Sequence, residues 1–459
     1  MAQEILKTLK LHAAGIDVGA QSHFVAVPPG SAPEGQTVRE FDAFTCGLRA
    51  TSQWLRACEV TTVVMESTGV YWVPLYELLE ADGFEVLLVD ARHVKNVPGR
   101  KSDVRDCQWL QQLHSVGLLR GAFRPPEHIC VLRSYIRQRG MLIQHAAQHI
   151  QHMQKALTQM NLKLQHVVGD ITGVTGMKII QAILGGERNP QKLAALRDRR
   201  CKHTVDEIAK ALEGNYRQEH LFALQQAVDL YVFYQRKIAE CDAMLETHLK
   251  TFEPPPDRPE LPSPPAGRKP QGNAPQFNLR AQLCRILGVD LTEVDSLDAY
   301  TVAKVIAEIG TNVSAWPSLK HFTSWLGLCP ANKISGGKIL SSRTKPCANK
   351  AATALRIAAQ TLYRSQSALG AFLRRMKSRL GPQAAITATA HRLARIIYSL
   401  LKSGRCYHDI GAEAFEAQHR ERVLRSLERK AKYLGYKLVA VVSKPSESRE
   451  IVTAVPVGS

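Results

Sequence analysis

Four acidic residues near the start of the chain have the types and placing to do chemistry. Asp17 sits in the apolar run GIDVG, Glu66 closes VVMES, and Asp103 and Asp106 stand three apart in KSDVRD. Residues three apart share one face of a helix, so the last two project together. Carboxylates at strand ends beside a helical carboxylate pair suit Mg²⁺ (or Mn²⁺), which takes oxygen donors and fills its shell with water or phosphate. Two such ions about 3.5–4 Å apart can stabilise the attacking and leaving oxygens of a phosphoryl displacement. Asp90, ending VLLVD, is the rival ligand by spacing. Each acid alone reads equally well as a turn residue or a solvated helix charge; the set and its order carry the metal reading. Arg100 and Lys101, in VPGRKSD, precede the helical acids and could meet phosphate there, or simply form a basic loop face.

A second constellation lies in WLGLCPANKISGGKILSSRTKPCANKAATALRIAA. Ser335 offers a hydroxyl, and Gly336 and Gly337 let the backbone approach a phosphate closely. Lys338 supplies a counter-charge, and Arg343, Lys345 and Lys350 extend the basic surface. SGGK by itself is a weak motif that reads first as a plain turn. A serine nucleophile needs a base or a metal to activate it, and the sequence names no base. The GxxxxGK[ST] spacing is absent, which argues against an ATP-driven motor.

The acids need a scaffold. HAAGIDVG, SHFVAV and VREFDAF read as strands, the first two close enough for a hairpin. CGLRATSQWLRAC has helical spacing, TTVVMES is a β-branched run, and VYWVPLYELLEADG is a helix closed by Gly83. EVLLVD is a further buried strand and KSDVRDCQWLQQLHSVG a helix ending near Gly117. Three strands and a helix followed by further β and α units predict a mixed α/β domain over 1–126.

After Pro126 the period changes. Ile129, Ile136, Ile143, Ile150, Leu157 and Leu164 recur every seven residues, with Leu132, Met153 and Met160 partly filling a second seam. Leu224, Tyr231, Ile238 and Leu245 repeat the spacing. This is a coiled-coil pattern. It predicts a helical assembly region over 127–252, whose two runs pair as an antiparallel hairpin, dimerise between subunits, or form a plain bundle core. Nine prolines crowd 253–275, a density no packed element survives, so 253–279 reads as a linker. A mainly α domain holding Ser335 follows over 280–405. Within it, LCRILGVDLTEVDSLDAYTVAKVIAEIG reads as two helices around a tight turn, a common grip on a phosphate backbone. The basic tail, 406–459, is helical at first, from Glu413 to Tyr433.

The chain has 459 residues, 45% hydrophobic and 22% charged, which argues against wholesale disorder. No apolar run approaches the ~18 residues of a membrane span, and MAQEILKTLK lacks the apolar core of a signal peptide. Ten scattered cysteines include no CxxC pair, which argues against a zinc ribbon or a disulfide scaffold and for a reduced, cytoplasmic protein. The net charge is +19, and from Ile309 to His408 there are 16 Lys and Arg and no Asp or Glu. Ordinary surfaces mix both signs; a stretch without acids points to a polyanion partner held by its phosphates. No amphipathic anchor accompanies the charge, so nucleic acid is favoured over membrane.

With these residues in view, GIDVG, MESTGVYWVP and VPGRKSDVRD resemble the Asp-Glu-Asp-Asp signature of the bridge-RNA-guided insertion-sequence (DEDD) transposases, relatives of the pilin-gene invertase. WLGLCPANKISGGK and the basic helix after it resemble that family's C-terminal transposase domain, and ISGGK is most like the subgroup with subterminal inverted repeats. The resemblance covers about 12–125 and 280–400. It implies an RNase H-like (RuvC-like) first domain, with metal ligands at Asp17, Glu66, Asp103 and Asp106. It also implies that Ser335 attacks DNA to form a covalent phosphoserine link, so that rejoining needs no ATP. The partners it implies are a guide (bridge) RNA, donor and target double-stranded DNA, and further copies of the chain in a dimer or tetramer, within the bacterial cytosol or nucleoid. Two other readings stay open on the residues: a metal-dependent junction nuclease that uses water and never Ser335, and a nonenzymatic RNA-binding scaffold.

Overall fold

The computed structural model describes residues 8–67, 69–90, 103–256, 272–344 and 346–439. It divides into two compact units, Met1–Arg124 and Pro125–Ser459.

The first unit runs β1 (Ala13–Val18), β2 (Ser22–Ala26), β3 (Val38–Asp42), α1 (Thr45–Ala57), β4 (Thr62–Glu66), α2 (Trp72–Ala81), β5 (Glu85–Val89) and α3 (Asp103–Ser115). The sheet order is β3-β2-β1-β4-β5. β1, β2 and β3 form an antiparallel meander, whereas β4 pairs parallel to β1 and β5 parallel to β4. Parallel pairs need crossovers, and α1 and α2 supply them. One sheet face buries Ala14, Ile16, Val63 and Met65 against Leu55, Leu75 and Leu79. The other face packs Val64 and Val89 against Leu110 of α3. Burial on both faces explains why β1 and β4 read as continuous apolar runs rather than as alternation.

In the second unit the chain forms α4 (Glu127–Gln159), short helices α5 (Leu164–Val167), α6 (Val174–Leu184), α7 (Pro190–Ala195) and α8 (Val205–Ala211), and the long α9 (Gln218–Lys250). α4 and α9 pack together in one chain. Arg139 meets Asp242, and His145 stacks on Tyr234, so the pairing is antiparallel. Ile129, Ile136 and Leu157 are buried, while Ile143 and Ile150 are half-buried. The sevenfold run stops short of its last expected member: α4 ends before Met160, Asn161 turns at φ 59°, and Leu164 belongs to α5. The short helices close over the far end of the hairpin in one apolar core that includes Met153, Leu157, Ile180 and Leu224.

The remaining helices are α10 (Leu279–Leu287), α11 (Ala299–Ile309), α12 (Leu319–Trp325), α13 (Lys350–Thr361), α14 (Ala368–Leu380), α15 (Pro382–Ser403) and α16 (Gly411–Tyr433). A hairpin of β6 (Lys333–Ser335) and β7 (Lys338–Ser341) interrupts them. Between α10 and α11, Gly288 turns at φ 70° and Asp290 caps Thr292 while pairing with Arg280. α11 seats on the base of α4, where Arg133 donates to the Ala307 and Glu308 carbonyls and Arg137 forks onto Glu308. Deeper, Arg139 (1% exposed) pairs with Asp242 under the Tyr300 ring, its guanidinium 4.5 Å from the centroid. Asp242 also accepts from Gln276 N, and Asn273 O accepts from Arg139, so the chain is caught again just after the proline-rich segment. Most of that segment, 257–271, lies outside the described residues. Among the described residues no helix is long and apolar enough to cross a membrane. The ten cysteines are unpaired.

Candidate active site

β1 and α3 build the acidic site between them. Side chains alternate along a strand, so Gly15 and Asp17 face one side of the sheet and Ile16 the other. Gly15 lies directly under α3: a Cβ there would overlap the backbone N of Gln111 and the carbonyl of Cys107. Gln111 Nε2 donates to Ala13 O at 3.1 Å. α3 therefore runs back along β1, with Gln111 at the strand's start and its first turn, carrying Asp103 and Asp106, toward Asp17. On β4 the same face holds Thr62, Val64 and Glu66. His114 of α3 meets Thr62 Oγ1 at 2.8 Å, and Val64 packs on Leu110. Ile16 pairs with Met65, so Asp17 and Glu66 are the next neighbours along the two parallel strands.

The electrostatics follow from this placing. The carboxyl of Asp17 is raised to about 6, first by burial, then by the like charges of Asp103, Asp106 and Glu66. Like charges that share a site disfavour ionisation. The Cys107 thiol behind them is pushed up to about 12 by burial, with Asp17 adding, so it stays neutral. Burial lowers His114 to about 4, which keeps its imidazole neutral against Thr62. Asp90 stands one residue beyond β5 and is exposed.

All-oxygen donors under mutual repulsion match the chemistry of a hard divalent cation. Among the described residues, however, no group of three or more His, Cys, Asp or Glu side chains is positioned to hold a metal ion. The four acids share a field without closing into a cage.

The serine region takes the plain-turn form. Ser335 ends β6 and pairs with Lys338, and Gly336 and Gly337 make the two-residue turn at φ 53° and 74°. Positive φ at both positions defines the turn that matches the twist of a hairpin, and glycine adopts it without strain. A bulge between Lys333 and Ile334 and a bridge from Pro330 to Thr344 shape the base. Ser335 and Lys338 are exposed, as are Ile334 (62%), Ile339 (60%) and Leu340 (70%). Arg343 is exposed beside Ser341, whose Oγ accepts from its backbone N–H, and Lys350 opens α13 behind the Asn349 cap. Arg100, Lys101 and Lys345 lie outside the described residues.

Sequence reasoning missed the residues that hold the acids in place: Gly15, Gln111, His114 and Thr62. Their signal was present but faint, a glycine inside a strand and a helix whose buried residues, Cys107, Leu110, Gln111 and His114, include two polar side chains.

Two family profiles match the chain. One, for the DEDD transposase of IS110 type and described as a transposase, covers residues 14–162. The other, described as the transposase IS116/IS110/IS902 family, covers residues 275–374. A search of curated proteins found no match. The first profile spans all four acids and the second spans the serine hairpin, and together they account for more than half of the sequence. The chain belongs to the IS110 family and is a DNA transposase.

Proposed function

We propose that this transposase is an RNA-guided recombinase that cuts and rejoins donor and target double-stranded DNA through a covalent link to Ser335. The observation that carries the reading is the shared field of Asp17, Glu66, Asp103 and Asp106, which raises Asp17 to about 6. The sheet order β3-β2-β1-β4-β5, with strand-end acids facing one helix, supports an RNase H-like first unit. In this reading the four carboxylates would hold Mg²⁺ or Mn²⁺, which would stabilise charge developing on a phosphodiester. The Ser335 oxygen attacks phosphorus and loses its proton. As the Oγ–P bond forms, one P–O bond to deoxyribose breaks, and that deoxyribose oxygen leaves as a hydroxyl. Attack on the phosphoserine by a hydroxyl of the other duplex restores a diester and frees the serine, so no ATP is consumed.

The acid-free stretch from Ile309 to His408, with Lys338, Arg343, Lys345 and Lys350, supports phosphate binding around the serine. Arg100 and Lys101, which precede Asp103 in the sequence, take the same role. Base choice falls to pairing with a guide (bridge) RNA, and the active particle is a dimer or tetramer in the bacterial cytosol or nucleoid. The hairpin ISGGK supports the subgroup with subterminal inverted repeats.

The test is a nicked suicide substrate. Wild type should leave a denaturant-resistant protein–DNA adduct that maps to ISGGK, and Ser335→Ala should leave none while RNA still co-purifies. An adduct that survives in Ser335→Ala moves the nucleophile, with Ser341 or Ser342 next. Metal-dependent nicking without any adduct would make the chain a junction nuclease with water as nucleophile.

A further inference from the structure

The last three described helices hold a cluster of arginines that lie past residue 374, where the second family profile ends. Phe372 of α14 and Phe415 of α16 meet edge to face, centroids 6.4 Å apart. Phe415 is buried, the single residue of α16 that is. The Arg392 guanidinium of α15 lies 4.8 Å from both ring centroids. The Arg375 guanidinium lies 4.6 Å from Phe415 and 6.0 Å from Phe372. Two cations thus share two rings. Arg395 follows one turn after Arg392, and Arg422 follows Phe415 by two turns of α16, so both sit on the faces that carry the cluster.

Asp409, just before α16, accepts from the Ala368 N–H at the start of α14. The carboxylate paired with Arg375 is Glu416, at 3.9 Å and itself exposed. Arg375 Nη1 is buried without a hydrogen-bond partner. Burial holds both Arg375 and Arg392 below the usual guanidinium range, and Arg422 pushes each of them further down. Arg375 and Arg395 add to the effect on Arg392, and Tyr407 acts against it. Cation–π contact recovers part of the desolvation, yet four like charges gather here and the buried Arg375 Nη1, 3.9 Å from Glu416, makes no hydrogen bond, an arrangement that a bound anion would complete. Planar guanidinium forks match phosphate oxygens in pairs, and two guanidinium groups already lie over the rings, so a phosphate is the ligand this face fits.

We propose that Arg375, Arg392, Arg395 and Arg422 form a binding site for nucleic-acid phosphodiesters, assembled when α16 docks through Phe415. The inference rests on the nucleic-acid reading above but on none of its chemistry. Arg395 and Arg422 are exposed, so Arg395→Gln with Arg422→Gln in the full chain removes charge without opening the core. The measurement is fluorescence anisotropy with a labelled single-stranded RNA and a labelled DNA duplex over a salt series. The log–log salt slope should fall by about two, one per lost phosphate contact. Arg395→Lys with Arg422→Lys should restore most of the slope. A fall on RNA alone identifies the ligand as RNA, and a fall on the duplex alone as DNA. Wild-type binding with an unchanged slope in the Gln variant on both probes overturns this site and leaves the recombinase reading standing. Failure of wild type to bind either probe overturns both.

Discussion

Gly15 of β1 and Gln111 of α3 are in backbone contact, with no room between them for a single methyl group. That contact sets how near the first turn of α3 comes to Asp17. Gly15→Ala should force the helix off the strand. Overpacking of this kind costs about 1–3 kcal/mol. The urea midpoint should fall, and strand cleavage should fall with it. A variant with wild-type stability and cleavage would show that the acids do not depend on this seat.

Asp17 makes the stability of metal-free protein depend on pH in an unusual direction. Folding raises its pKa from 3.8 to about 6, so folded protein keeps a proton that the unfolded chain gives up in that interval. The stabilisation is complete below 3.8 and is lost as pH rises through 6. In EDTA, Asp17→Asn should therefore gain thermal stability over wild type at pH 7.5 and lose that advantage near pH 4. Mg²⁺ at pH 7.5 should raise the wild-type midpoint and leave the variant nearly unmoved. Equal Mg²⁺ responses would remove Asp17 from the ligand set. Strand cleavage by Asp17→Asn should drop by orders of magnitude.

The Arg139–Asp242 pair lies at the crossing of α4, α9 and α11, and both side chains are buried. Asp242→Ala leaves the guanidinium charged and unpaired, which should destabilise the second unit by about 3–5 kcal/mol. Replacing both partners, Arg139→Met with Asp242→Leu, should recover most of that loss in urea unfolding. A double variant as weak as the single one would mean that the contacts to Asn273 and Gln276, not the charge pair, hold the crossing.

The hairpin turn gives a test of serine placement that leaves the serine intact. Gly336→Asn suits a turn with positive φ at its first position and should keep adduct formation. Gly337→Val puts a β-branched residue at φ 74°, a strain of roughly 1–3 kcal/mol, and should cut adduct yield while circular dichroism stays unchanged. Equal yields from the two variants would separate the chemistry from the turn.

Local pattern made much of this legible. The eight described elements of the first unit follow the apolar runs and glycine stops of the sequence, because each buries a stripe or a face whose period shows in the residues themselves. Asp17, Asp103 and Asp106 stood out for the same reason, a charge inside an apolar run and a pair three apart. Glu66 needed the register to Ile16 and Met65 to become a neighbour of Asp17. The sevenfold apolar spacing marked the seam between α4 and α9 but not its partner, since one stripe serves a hairpin and a dimer alike. Leu164 continued the period without continuing the helix, because Asn161 turns the chain first. The cluster of Arg375, Arg392 and Arg422 around Phe372 and Phe415 joins three helices, and no window of sequence contains it.

The antiparallel hairpin of α4 and α9 brings the chain back to where it left. His248 near the end of α9 lies 2.7 Å from the carbonyl of His128 at the start of α4. Everything between is topologically an insertion with its two ends already joined. Such an arm can gain or lose whole turns at the tip, in matched amounts on both helices, without moving the residues at its root. Its length is open to evolutionary drift or to engineering, whereas its root, fixed by Arg133, Arg137 and Arg139, is not.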